Sequence, residues 1–203
     1  MKRILNLYAG LGGNRKLWDH TLGIQGPGVN VTAVEYSEEI ATIYKDLYPQ
    51  DTVVVGDAHQ YLLDHFKEFD FIWASPPCQT HSSFRQNICV KFRGTPPVYP
   101  DMKLWQEIVF LQANCETKWV VENVKPYYQP IIPPTAMLER HYFWANFPIS
   151  DKTFTSVKIR KAQIPDLQRY HGLDLSSYKI SNKRQILRNC VHYDLGDHIY
   201  RCT

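Results

Sequence analysis

Two side chains define the chemistry open to this sequence: the thiol of Cys78 and the carboxyl of Glu122. Cys78 follows an apolar run over residues 69–74, broken only by Asp70, that reads as a short buried strand. Ser75-Pro76-Pro77 ends that strand, because two prolines cannot continue a central strand. The cysteine therefore falls on a loop at a strand end, as a nucleophile or as the small buried hydrophobe that most free cysteines are. Glu122 closes a second apolar run, residues 119–121, which puts an acid at the tip of a neighbouring strand. In an open α/β sheet the carboxyl ends of strands converge on one crevice. A thiol and an acid meeting there suit covalent catalysis assisted by proton donation.

The elements that must position this pair begin with residues 3–9, a first buried strand. It runs into Gly10-Leu11-Gly12-Gly13-Asn14 and then a helical pattern through Leu17, Trp18 and Leu22. Strand, glycine turn and helix form the nucleotide-binding opening of a doubly wound α/β domain, though the same turn also occurs with nothing bound. A second strand, residues 29–34, ends at Glu35, where a ribose diol is gripped in such folds, and Tyr36 beside it offers a ring to a purine. Ser37 is a candidate N-cap for a helix whose apolar face is Ile40, Ile43, Tyr44 and Leu47. A third strand, residues 52–55, leads to Asp57, an acceptor for an adenine amino group. Taken singly, Glu35 and Asp57 read equally as helix caps. Together with the turn they outline an adenosine pocket. The turn lacks the full GxGxxG fingerprint, which favours S-adenosylmethionine over a nicotinamide cofactor.

Residues 80–100 read as a long polar stretch without secondary structure, the length of a lid or binding loop. Asp101 caps a helix with a stripe of Leu104, Trp105, Ile108 and Leu111. Residues 126–134 are proline-rich and irregular, and residues 140–147 form a further strand. Residues 150–182 mix cations with aromatic rings, which suits nucleic acid as well as a solvated face. Helices follow over 183–191 and 194–202.

At 203 residues, with 44% hydrophobic and 21% charged residues, the chain has the composition of one globular domain. The net charge of +3 is compatible with a polyanion partner without requiring one. Five cysteines with no CxxC pair exclude a disulfide framework and give no zinc-ligand spacing, so no metal is expected. No run is apolar enough to span a bilayer and no cleavable leader opens the chain, so a cytoplasmic protein is expected.

In order, these motifs resemble those of the DNA (cytosine-5) methyltransferases. LYAGLGGN resembles the motif that wraps S-adenosylmethionine, VEYSEEIATIY the ribose and adenine motif, and GDAH the third. PPCQTHSS resembles the catalytic Pro-Cys motif and ENV the glutamate motif. RHYFWANF sits where the family carries its arginine, and RQILRNCV resembles the last block, whose asparagine returns to the cofactor. The C-terminal blocks look like those of short bacteriophage and prophage enzymes. That style implies a place in restriction-modification. The resemblance implies a Rossmann-like methyltransferase fold, α/β with a mostly parallel doubly wound sheet. Residues 1–149 would bind cofactor and catalyse, 150–182 would be a very small recognition segment, and 183–203 would return to the catalytic domain.

The resemblance makes Cys78, Glu122 and Arg140 catalytic. It gives the cofactor to Tyr8, Ala9, Gly10, Leu11, Gly12, Gly13, Glu35, Tyr36, Asp57, Ala58, Pro76 and Asn189. It gives double-stranded DNA to Gln79, Ser82, Arg85, Gln86, Arg93, Lys158, Arg160 and Lys161. The expected reaction is methyl transfer to C5 of a flipped-out cytosine through a Cys78–C6 adduct. Glu122 would hold N3, Arg140 would hold O2, and a water near Thr80-His81-Ser82 would take the C5 proton. Residues 140–185 are far shorter than the family's recognition domain. That leaves open an RNA substrate, a homodimer, a partner protein supplying recognition, or an inactive subunit of a split enzyme.

Overall fold

The apolar runs become the strands of one sheet in the computed structural model, which describes residues 1–19, 28–154 and 161–203. The strands are β1 (Lys2–Leu7), β2 (Val29–Glu35), β3 (Thr52–Val55), β4 (Phe71–Ala74), β5 (Lys118–Val124), β6 (Ala136–Leu138) and β7 (His141–Ala145). Their spatial order is β3-β2-β1-β4-β5-β7-β6. The first five are parallel to one another, and β7 runs antiparallel to both β5 and β6. The order reverses between β1 and β4, so the crevice at the carboxyl ends of these two strands is the topological switch point where such folds bind ligands.

Alternation along each strand splits the core into two layers. Leu5, Leu7, Ile72, Ala74, Trp119 and Val121 face α2 (Ala58–His65) and α3 (Lys103–Asn114), whose Leu62, Leu104, Ile108 and Leu111 cover them. Ile4, Phe71, Trp73, Val120 and Phe143 face the other way, onto Leu195, Ile199 and Tyr200 of α6 (Tyr193–Arg201) and onto Trp18. The strands are thus apolar on both faces, as a doubly wound sheet demands. α1 (Glu38–Leu47) starts where Ser37 Oγ accepts from Ile40 N. Its Ile43 packs with Leu11, with Leu167 of α4 (Ile164–His171) and with Leu187 of α5 (Lys183–Asn189). Residues 161–190 therefore share a core with the glycine turn. No helix among the described residues is long and apolar enough to cross a membrane.

The helix expected directly after the glycine turn is absent from the described part of that stretch, where residues 14–19 form successive turns. The cause is Arg15, fully buried and aimed inward at Asp51: Nε donates to Oδ2 at 2.7 Å and Nη2 to Oδ1 at 2.8 Å. Tyr44 Oη donates to the same carboxylate (2.8 Å), and Tyr48 Oη donates to the Gly12 carbonyl (2.9 Å). This network clamps the turn onto α1 and the start of β3. Arg15→Ala leaves the Asp51 charge buried without its cation, with only the Tyr44 hydroxyl, among the described residues, still bonded to it. It is expected to lower the unfolding free energy by about 3–5 kcal/mol, read as an earlier urea midpoint with unchanged slope. A midpoint shift worth under about 1 kcal/mol would contradict this account of the clamp.

Candidate active site

The Pro76-Pro77-Cys78 turn is held from β5. Asn123 is buried, and its Nδ2 donates to the Pro76 carbonyl at 2.9 Å. Past the cysteine the chain folds back, the Cys78 carbonyl accepting from His81 N (3.1 Å) and Ser82 N (3.0 Å). His81 is fully buried and its Nδ1 meets Tyr128 Oη at 2.6 Å, while Thr80 Oγ1 accepts from Asp101 N at 2.9 Å. The start of the stretch expected to be a free loop is therefore anchored on both sides. Farther on, residues 85–90 form a π-helical turn (Arg85–Val90).

Glu122 lies inside β5 rather than at its tip, because β7 pairs alongside and prolongs the strand to Val124, with Glu122 opposite Phe143. On that face Trp73 Nε1 donates to Ser75 Oγ (2.8 Å), and the Ser75 hydroxyl hydrogen-bonds the Glu122 carboxyl. Glu122 is 6% exposed. Burial raises its pKa to about 7, against the opposing pull of Ser75 and the Arg140 charge. Cys78 rises to about 11, first by burial and then by the Glu122 charge, with Arg140 pulling it back. The thiol and the acid thus sense each other across one cleft. His141 Nε2 is 3.8 Å from Glu122 Oε1. Burial, then Arg140, lowers the imidazole to about 3, so it is neutral at physiological pH. Arg140 itself occupies the two-residue turn between β6 and β7, where Glu139 has φ +53°. Its Nη2 donates to the Arg188 carbonyl at 3.1 Å and ties the hairpin to the end of α5.

The cleft has a volume of about 1780 Å³ and extends from Cys78, Glu122 and Arg140 to the glycine turn. Of the residues expected to bind cofactor, Tyr8, Ala9, Gly10, Leu11, Gly13, Glu35, Tyr36, Asp57, Ala58, Pro76 and Asn189 line it, and Gly12 does not. A Cβ on Gly12 would meet Tyr48 at 2.5 Å, and one on Gly13 would meet the Val191 carbonyl at 2.3 Å. These two glycines serve close packing against α1 and the C-terminal segment, whereas a Cβ on Gly10, at φ +54°, would meet nothing nearer than the Tyr8 carbonyl at 4.0 Å. Gly10 N donates to Glu35 Oε2 (3.0 Å) and Ser37 N to Glu35 Oε1 (2.9 Å), so the acid braces the turn. Asp57 caps α2 through His59 N (2.9 Å) and pairs with Lys103 at 3.2 Å. Tyr36 is 81% exposed on the rim.

Among the residues expected to meet nucleic acid, Gln79, Ser82 and Arg85 line the cleft. Gln86 and Arg93 lie outside its lining, Arg93 on the exposed chain beyond the π-helical turn. Lys161 is exposed. Lys158 and Arg160 lie outside the described residues. Sequence reasoning passed over Ser75, Asn123 and His141. Alternation was the available signal, since Asn123 next to Glu122 must face the opposite side of β5, toward the Pro-Pro turn. The Trp73–Ser75 bond had no signal in the sequence.

A mostly parallel sheet with helices on both faces and polar groups gathered at its switch point defines a Rossmann-like α/β domain. Residues 2–130 match the profile of the C-5 cytosine-specific DNA methylase family, and the chain belongs to that family. Solved structures similar to it include a putative DNA modification methyltransferase encoded within an E. coli prophage, at 19% identity over 64% of this chain and 34% of that one, TM-score 0.42. A mutant of Spodoptera frugiperda DNMT2 is 25% identical over 62% of this chain and 36% of that one, TM-score 0.43. The matched region thus amounts to about a third of either solved chain. No curated protein matches the chain.

Proposed function

We propose that the protein transfers a methyl group from S-adenosylmethionine to C5 of a cytosine swung out of double-stranded DNA, through a covalent bond between Cys78 and C6. The observation that carries this reading is the convergence of Cys78 and Glu122 with Glu35, Asp57 and the glycine turn on one cleft. Its volume of about 1780 Å³ exceeds the roughly 300–1,000 Å³ of a one-ligand pocket, which suits a cofactor and a base side by side.

The residues at the turn fit the cofactor. Glu35 uses one acceptor site on each oxygen for backbone N–H groups and keeps others for a ribose diol. Gly10 leaves the space in front of it clear, and Tyr36 offers a ring face at the rim. Bound S-adenosylmethionine supplies an electrophilic methyl group. The rest falls to the chain. The Cys78 thiolate adds to C6 and makes C5 electron-rich, while the Glu122 carboxyl gives a proton to N3. The Arg140 charge offsets the negative charge that builds on the pair. A water near Thr80-His81-Ser82 then takes the C5 proton, N3 returns its proton to Glu122, and departure of the thiolate restores the aromatic base. The base reaches the cleft only by leaving the stack, at a cost of a few kcal/mol. Gln79, Ser82 and Arg85 are the groups we assign to the strand around it, with Gln86, Arg93 and the basic residues of 150–182 as outer phosphate contacts.

The test incubates the protein and cofactor with DNA and RNA together, followed by nucleoside mass spectrometry. The expected result is cytosine heavier by one methylene in DNA. Modification confined to RNA would replace the substrate in this reading, and modification of neither would remove the reading.

A further inference from the structure

Tyr8 stands just past the end of β1 with φ +56°, in the left-handed region that a tyrosine rarely adopts. Such a backbone persists only where its surroundings over-determine it. Two helices do so here. The Tyr8 hydroxyl donates to Glu107 Oε1 of α3, and His59 Nδ1 of α2 meets the same oxygen at 2.9 Å. The tyrosine itself lines the cleft, as Gly10 and Asp57 do. On the cofactor half of the reading just given, we infer that Glu107 and His59 are positioning residues, which act through the Tyr8 hydroxyl to fix the wall against which the cofactor binds.

Neither group lines the cleft, so neither acts by direct contact. Glu107 is 1% exposed. A carboxyl sealed in the interior is costly unless donors meet it. The Tyr8 hydroxyl and His59 meet Oε1, while Oε2 has no partner among the described residues. The His59 side chain is 30% exposed, so solvent protons reach the network through it. Its backbone N donates to Asp57 Oδ1 at 2.9 Å, so one residue ties together Tyr8 and Asp57, both on the cleft. The bond to Glu107 raises the His59 pKa against the effect of burial. Burial, then Glu107, holds the Tyr8 phenol far above its usual range, so it stays a donor. The other charges facing His59 are Lys103, one turn before Glu107 on α3, and Asp57. Asp57 and Asp101 also face Tyr8. A histidine whose pKa rises on gaining a partner gives its full support below its ordinary value and loses it as pH climbs through the raised one. The hold on the cofactor therefore slackens as His59 gives up its proton.

Calorimetry of S-adenosylhomocysteine binding tests this in wild type, Tyr8→Phe, His59→Gln and the double variant, across the range in which an imidazole titrates. Urea unfolding of each variant without ligand reports the fold. Tyr8→Phe keeps the ring and removes only the hydroxyl, and it should weaken binding about tenfold at the acid end. His59→Gln should weaken binding by a similar factor at the acid end and match wild type at the alkaline end. Added to Tyr8→Phe, it should change nothing, because His59 acts only through the hydroxyl. Glu122, which titrates at about 7 in the same cleft, is common to all four proteins, so their differences belong to the network. Wild-type affinity in a folded Tyr8→Phe, or an undiminished effect of His59→Gln in the phenylalanine background, would overturn the inference while cofactor binding stands. A wild-type protein that binds no S-adenosylhomocysteine removes the cofactor reading, and the inference with it.

Discussion

Replacing Cys78 by alanine is expected to reduce methyl transfer by on the order of 10⁴–10⁶-fold while cofactor affinity stays within about twofold. The size follows from the chemistry: without addition at C6, C5 is too poor a nucleophile for any residual positioning to help. The specificity follows from the geometry. Cys78 stands on a turn pinned by Asn123 through the Pro76 carbonyl and by the backbone of His81 and Ser82. None of those bonds uses the thiol, so its removal leaves the turn in place. Serine should fare no better than alanine, because a hydroxyl ionises far less readily than the thiol. A duplex with 5-fluorocytosine at the target should trap the wild-type protein as a stable adduct, since fluorine cannot leave C5 as a proton does. Intact-mass measurement should find that adduct in wild type and lose it in both variants. An adduct surviving in Cys78→Ala would assign the nucleophile elsewhere. The neighbouring candidate is Cys89, which lines the same cleft.

How much of this was legible in the sequence depends on the range of the interaction responsible. The first five strands and β7, the glycine turn, the Ser37 cap and the α3 stripe rest on local patterning, and they appear where the patterning puts them, whereas β6 was not read from it. The cysteine's place just past β4 was legible for the same reason, because the prolines that stop the strand are its immediate neighbours. Features set by distant partners were not legible. Arg15 turns the chain inward toward Asp51, 36 positions away, and no helical periodicity reveals that. Glu122 was expected at a strand tip. It lies inside β5 because β7, some twenty residues later, pairs with it. The glycines had two uses that composition cannot separate: Gly10 opens onto the cleft, while Gly12 and Gly13 make room for Tyr48 and Val191. His141 had no signal at all, since its place 3.8 Å from Glu122 comes from lying diagonal to it across a strand pair.

Glu122→Gln is expected to lower kcat by about 10²–10⁴-fold near neutral pH and, more tellingly, to change the shape of the pH profile. In wild type the productive state needs Glu122 protonated and Cys78 ionised. The acid titrates at about 7 and the thiol at about 11, so the reactive form is the minor arrangement of a pair that shares one proton. Below about 7 the pair holds two protons and the thiolate is lost, so kcat/KM falls tenfold per unit. Between about 7 and about 11 the gain in thiolate and the loss of protonated acid cancel, and the profile is flat. Glutamine removes the lower titration. It also removes the carboxylate charge that helps to raise the thiol, so the Cys78 pKa should fall below the wild-type value. The variant's kcat/KM should then climb tenfold per unit through neutrality with no break at about 7. Ser75→Ala provides the complementary shift. Losing that hydrogen bond to the carboxyl should move the acid limb upward while the plateau persists. A glutamine variant that kept the wild-type break would show that another group titrates there, and Glu122 would no longer be the proton donor to the base.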